Sequence, residues 1–321
     1  MIQAVLFILV GFTLLIISAD KFIEGAASIA DNTGMSKLMI GLTIVAFGTS
    51  APEMLVSLLA AINGSDNIAV GNAIGSNITN IGLILGITVL LIPLPIQARL
   101  FKVDLPLLLM LTLITGGLLF DYHISLLESC LLLGLLIAYL FYLYRDSQKH
   151  PTDHQVDDEV DEFTGLSLPK AWAYFVVGLI VLVGSAQLLV SGAVDIARFF
   201  GVSELVIGVT IIALGTSLPE LAASIGSARQ GHYDITFGNI IGSNMFNLLV
   251  VLAMPGLVKS SQLDHAVLTR DYTTMLTLTS VLLILCFGLY KAKKRFGRVP
   301  GFLLIAIFGV YYAVLFSQIL R

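Results

Sequence analysis

The segment GTSAPE at 48–53 returns as GTSLPE at 215–220, and one offset of 167 residues lays Leu38–Leu85 on Leu205–Leu252 without a gap. Of those 48 positions 23 are identical, including GNAIGSN at 71–77 against GNIIGSN at 238–244. Fifteen of the matched residues are Gly, Thr, Ser, Pro, Glu or Asn, which break, bend or polarise a helix, so shared apolar composition does not explain them. The chain is an internal duplication, and its two copies must have one architecture.

Hydrophobic residues make up 57% and charged residues 12% of the 321, against roughly 45–50% and about 25% in ordinary globular domains. Apolar runs are unbroken and roughly 20 residues long, where a membrane barrel would alternate in strands of about 10. The chain therefore reads as a polytopic helical membrane protein. Polar punctuation predicts helices over 2–30, 36–62, 67–93, 104–121 and 124–145, then 170–199, 203–230, 234–257, 270–290 and 299–319. The opening MIQAVLFILVGFTLLIISAD has neither a basic leader nor a small-residue cleavage site and is kept as the first helix.

The same offset maps Ser18 onto Ser185, Gly25 onto Gly192 and Asp104 onto Asp271, so each half carries five helices in the same order. Five is odd, and the second copy must enter the membrane from the other side. The expected fold class is all-α, with ten transmembrane helices as two inverted five-helix repeats. Residues 1–145 form the first repeat (helices 1–5, motif 41–85), 146–169 an acidic cytoplasmic linker, and 170–321 the second (helices 6–10, motif 208–252).

Basic residues orient the bundle. The face with the linker holds Lys37, Arg99, Lys102, Arg145, Lys149, Lys170, Arg229, Lys291, Lys293, Lys294, Arg295 and Arg298; the other holds Arg198, Lys259, Arg270 and Arg321. Cytoplasmic loops accumulate Lys and Arg, which places both termini outside the cytoplasm of an inner (plasma) membrane. The linker acids Asp153, Asp157, Asp158, Glu159, Asp161 and Glu162 read as a solvated connector without EF-hand spacing. A net charge of −4 gives no basic face for nucleic acid. Cys130 and Cys286 sit in apolar runs and read as buried free thiols, and the five histidines lack zinc-ligand spacing.

Glu53 and Glu220 fall in the middle of apolar helices, where a charge costs about 2.5–3.5 kcal/mol on insertion scales and needs a partner, a cavity or an ion. Pro52 and Pro219 remove amide donors beside them and should free carbonyl oxygens around and just before Gly48 and Gly215. Thr49, Ser50, Thr216 and Ser217 add hydroxyls. On the following helices Ser76 and Asn80, like Ser243 and Asn247, lie four apart on one face, and Gly-x-x-x-Gly spacing permits close helix approach. If the two hairpins meet at the pseudo-twofold axis, these oxygens converge into a cage for Ca²⁺ or Na⁺. Asn72, Asn77, Asn239 and Asn244 stay open between ligand and backbone pin.

At GTS-x-PE and GN-x-x-GSN the chain resembles the cation/Ca²⁺ exchanger superfamily, and in length the compact prokaryotic Na⁺/Ca²⁺ exchangers. The resemblance implies alternating access to one cluster of sites. It makes Glu53 and Glu220 Ca²⁺ ligands, completed by Thr49, Ser50, Thr216, Ser217, Ser76, Ser243, Asn80 and the carbonyls of Ala46 and Ala213. Some relatives, K⁺-dependent exchangers among them, have Asp where this chain has Asn247, which leaves two carboxylates and leads us to expect K⁺ independence. The expected function is a secondary Ca²⁺/Na⁺ antiporter, with H⁺/Ca²⁺ exchange as the alternative. Ca²⁺ and Na⁺ are cargo, no cofactor or obligate protein partner is expected, and an enzyme is disfavoured because Ser50 and Ser217 have no nearby His or Lys base.

Overall fold

The computed structural model describes residues 1–149, 166–202 and 207–319, so the linker acids 153–162 lie outside the described residues. The helices are α1 (Ile2–Thr33), α2 (Lys37–Thr49), α3 (Ala51–Ile62), α4 (Asp66–Leu91), α5 (Leu100–Leu118), α6 (Leu126–Asp146), α7 (Leu168–Phe199), α8 (Thr210–Arg229), α9 (Tyr233–Val258), α10 (Val267–Lys291) and α11 (Arg298–Gln318). Among the described residues nine of them are long and apolar enough to cross a bilayer, and α2 with α3, bent by 44° at a short break, makes up a tenth span. The polytopic all-α architecture read from the sequence is the one the chain adopts. Local signals set the boundaries: Gly34 closes α1 at φ 72°, and the Ser36 hydroxyl accepts the Met39 amide at 3.2 Å to start α2.

The duplication extends into irregularities that no residue pattern announced. Among the described residues six π-helical stretches form three pairs that begin 167 residues apart: Gly41–Val45 with Gly208–Ile212, Asn80–Leu85 with Asn247–Val251, and Leu100–Asp104 with Val267–Tyr272. A π-turn widens the helix and is commonly retained at functional sites. Its recurrence at matched positions shows that both copies keep the same distortions.

Two compact units result, and neither coincides with a repeat. The first comprises Met1–Pro52 and Leu140–Gly242. Within it α1 and α7 lie backbone against backbone, since a Cβ on Gly25 would stand 2.5 Å from the Phe175 amide nitrogen and one on Gly178 would stand 2.7 Å from that of Phe22. Small residues permit that approach. The Phe22 and Phe175 rings, 4.8 Å apart, fill the space beside it.

The second unit comprises Glu53–Tyr139 and Ser243–Arg321. Here Gly82 and Gly86 bring α4 against Phe308 and Ile305 of α11. A two-residue strand, His123–Ile124, pairs antiparallel with Ser261–Gln262 and ties two loops together. Two buried carboxylates at matched positions carry their own counter-charges: Asp104 has Arg99 at 3.6 Å, and Asp271 has Arg270 at 2.7 Å. Cys286 is buried as expected, whereas Cys130 is exposed on α6; an apolar run does not reveal which of its faces meets lipid.

Candidate functional site

In the first copy the helix breaks at Ser50, whose backbone (φ −81°, ψ 3°) leaves the helical region, and Pro52 falls in the first turn of α3. In the second the turn is at Thr216–Ser217, and Pro219 falls in the first turn of Leu218–Arg229. The sequence suggests a proline interrupting a helix; the structure places the break just before it, where a missing amide proton costs nothing. Glu53 and Glu220 consequently occupy first turns, at the positive end of their helices. The expected carbonyls near the break are engaged rather than idle. That of Ala46 accepts the Ser50 amide at 3.0 Å and the Thr49 hydroxyl at 3.4 Å, and that of Ala213 accepts the Thr216 hydroxyl at 3.2 Å.

Within the first unit, residues of both repeats meet. Glu220 is 1% exposed, and its Oε1 accepts the Ser50 hydroxyl at 3.1 Å. Its Oε2 has no hydrogen-bond partner among the described residues. The Asn239 amide donates to the Glu220 carbonyl at 3.3 Å and to Ser224 Oγ at 3.0 Å, while its Oδ1 accepts the Thr49 hydroxyl at 3.0 Å. The GTS segment of one copy is thereby joined to the glutamate and the GN segment of the other.

Within the second unit the same pattern recurs around Glu53, also 1% exposed. The Asn72 amide donates to the Glu53 carbonyl and to Ser57 Oγ, both at 3.0 Å, and the Ser57 hydroxyl donates to the Ala69 carbonyl at 2.9 Å. Asn72 and Asn239 thus pin the backbone of the two glutamates. Ser57 and Ser224 were missed by the sequence reading, although both are among the identical positions and follow each glutamate by one helical turn.

Ser76, Asn80, Ser243 and Asn247 are all buried in the second unit, and Asn77 donates to the Asn244 carbonyl at 3.2 Å. The Oδ1 of Asn80 and both amide atoms of Asn247 have no hydrogen-bond partner among the described residues. A buried polar group left unpaired costs about 1–3 kcal/mol.

The copies differ in exposure. Val45, Ala46 and Thr49 are wholly buried, whereas their counterparts Ile212 (45% exposed), Ala213 and Thr216 reach the surface; Ser217 stays buried. Helix approach differs as well. A Cβ on Gly238 or Gly242 would lie 2.7 or 2.6 Å from the Leu38 or Leu42 carbonyl oxygen, while one on Gly71 or Gly75 would meet nothing described within 4 Å. The Gly-x-x-x-Gly expectation therefore holds for the second copy; for the first, the segment matching Leu38 falls in 203–206, outside the described residues.

The oxygens are those of carboxylates, hydroxyls, amides and backbone carbonyls, and the one sulfur beside them, Met275 Sδ, accepts from the Asn77 amide at 3.4 Å. Among the described residues no group of three or more His, Cys, Asp or Glu occurs, so any cation here would be bound by few carboxylates and several neutral oxygens. That set suits hard ions such as Ca²⁺ and Na⁺.

Comparison with known proteins agrees. CaxA of Alkalimonas amylolytica is 44% identical over 320 residues, covering 99% of this chain and all of that one. Inner membrane protein YrbG of Escherichia coli is 36% identical over 320 residues, 98% of each chain. Among solved structures, the sodium-calcium exchanger NCX_Mj soaked with 2.5 mM Na⁺ and 0.1 mM Ca²⁺ superimposes with a TM-score of 0.82 at 30% identity over 98% of each chain. Residues 3–145 and 170–317 match the family described as sodium/calcium exchanger protein, and the chain accordingly belongs to that family of membrane cation/Ca²⁺ antiporters.

Proposed function

We propose that the protein exchanges Ca²⁺ for Na⁺ by alternating access, with Glu53 and Glu220 as the charged ligands. Thr49, Ser50, Thr216, Ser217, Ser76, Ser243, Asn80, Asn247 and the Ala46 and Ala213 carbonyls supply neutral oxygens. The observation that carries this reading is the contrast among buried carboxylates. Asp104 and Asp271 are each neutralised by an arginine, whereas Glu220 has one oxygen on a serine hydroxyl and the other without a hydrogen-bond partner among the described residues. An intramembrane carboxylate in that condition calls for an exogenous cation.

Unequal exposure of matched positions supports alternating access, because an inverted-repeat transporter open to one side must hold its two copies in different environments. The family description and NCX_Mj support Na⁺ as the counter-ion, and the name of YrbG supports an inner-membrane location. The excess of Lys and Arg on the linker face supports termini outside the cytoplasm, and Asn247 supports K⁺ independence. Ca²⁺ binding to the purified protein, measured by calorimetry, should weaken as Na⁺ is added and stay unchanged with K⁺. Ca²⁺ binding indifferent to Na⁺ would remove the basis for exchange at overlapping sites.

A further inference from the structure

Between α10 and α11 runs a groove of about 610 Å³ whose lining includes none of the cation ligands proposed above. Its walls include Thr269, Thr273 and Thr277 on α10 and Ile307, Val310 and Val314 on α11. The three threonine hydroxyls donate to the carbonyls of His265, Thr269 and Thr273 at 2.7–2.8 Å, so they are satisfied within their own helix and offer little to a polar guest. Val310 is 65% and Val314 41% exposed, which leaves the groove apolar and open on its membrane side.

One end is polar. Arg270 donates from Nε and Nη2 to the two carboxylate oxygens of Asp271 at 2.7 and 3.0 Å and from Nη1 to Gln318 Oε1 at 2.6 Å; the Tyr311 hydroxyl donates to Asp271 at 3.0 Å. A guanidinium has five N–H donors. Two of them, with the Gln318 amide, have no acceptor among the described residues. Arg270 and Gln318 stand near the ends of their spans, where a membrane-crossing helix reaches the headgroups. From Gln318 the groove follows α11 to Ala306, about 18 Å at about 1.5 Å per residue, close to the depth of one leaflet in a core of about 30 Å.

We propose that this groove is a phospholipid site, with one acyl chain lying along Val314, Val310 and Ile307 and the phosphate accepting from Arg270 and Gln318. Phosphate oxygens match the guanidinium fork. The Arg270–Asp271 pair is neutral overall, so the site reads the phosphodiester and makes no demand for further headgroup charge.

The test uses the full-length protein, delipidated in detergent and incubated in turn with phosphatidylethanolamine, phosphatidylglycerol and diacylglycerol, with bound lipid counted by native mass spectrometry. Wild type should retain one molecule of either phospholipid and no diacylglycerol. Val310→Trp fills the groove and should lower occupancy at least about tenfold, and Gln318→Leu, at the exposed end, should lower phospholipid occupancy several-fold while leaving the fold intact. Equal retention by wild type and both variants, or diacylglycerol held as well as phospholipid, overturns the assignment. So does a change of oligomeric state in Val310→Trp with lipid content unchanged, which would give the groove to a second copy of the chain.

Discussion

Asn239→Ala and Asn72→Ala are the same substitution at matched positions of the two repeats, yet they should not cost the same. Asn72 makes two interhelical hydrogen bonds, to the Glu53 carbonyl and Ser57. Asn239 makes the corresponding two, to the Glu220 carbonyl and Ser224, and a third with Thr49. At about 0.6 kcal/mol per such bond in a membrane protein, Asn72→Ala loses about 1.2 and Asn239→Ala about 1.8 kcal/mol, and because Asn239 is fully buried and Asn72 only half-buried, the cavity left by the amide adds to the cost at Asn239. The Thr49–Asn239 bond contributes about 0.6 kcal/mol of the difference, and a double-mutant cycle separates it from the cavity cost.

Reversible unfolding in mixed micelles can resolve this difference. A double-mutant cycle with Thr49→Val adds the internal check, since that substitution should lose part of its cost once Asn239 is gone. If Asn72→Ala proves as costly as Asn239→Ala, or if Thr49→Val and Asn239→Ala are additive, the link between the two repeats carries no energy and the reasoning fails.

Other consequences are simpler to measure. Glu53→Gln and Glu220→Gln should each abolish Ca²⁺ transport in liposomes while leaving expression and monodispersity unchanged; retained transport would make the carboxylates structural. Ca²⁺ transport should fall as pH falls, because protons neutralise the carboxylates that bind Ca²⁺, and raising Ca²⁺ should restore it; a pH response that saturating Ca²⁺ leaves untouched would place the titrating group elsewhere. Gly242→Ala puts a methyl 2.6 Å from Ala46 Cβ and the Leu42 carbonyl oxygen and should cost about 1–3 kcal/mol, whereas Gly75→Ala, with nothing described near it, should stay within about 0.5 kcal/mol. Asn247→Asp should lower the melting temperature in chelator and recover it with Ca²⁺, because its amide has no described partner to offset an added charge; equal stability with and without cation would put residue 247 outside the ion pathway.

Much of the fold was legible because residues that break helices punctuate long apolar runs, and the spans fall within a few residues of the sequence reading wherever they are described. The π-turns were not legible, since segments such as Gly41–Val45 (GLTIV) and Asn247–Val251 (NLLVV) carry no residue that marks a change of helical pitch. Glu53 and Glu220 stood out because charge in an apolar run is rare. Ser57 and Ser224 did not, because serine inside a membrane helix usually bonds its own backbone, and only the structure shows Asn72 and Asn239 donating to them. Least legible was the unequal exposure of Thr49 and Thr216. Identical local sequence predicts identical surroundings, and only the conformation of the whole chain breaks that symmetry.

Everything proposed for Glu53 and Glu220 rests on Na⁺-coupled Ca²⁺ movement. Its most direct test is Ca²⁺ flux into proteoliposomes under Na⁺, K⁺ and H⁺ gradients imposed one at a time. An outward Na⁺ gradient should drive uptake and K⁺ alone should drive none; uptake driven by protons with no response to Na⁺ would rule Na⁺ out as the counter-ion.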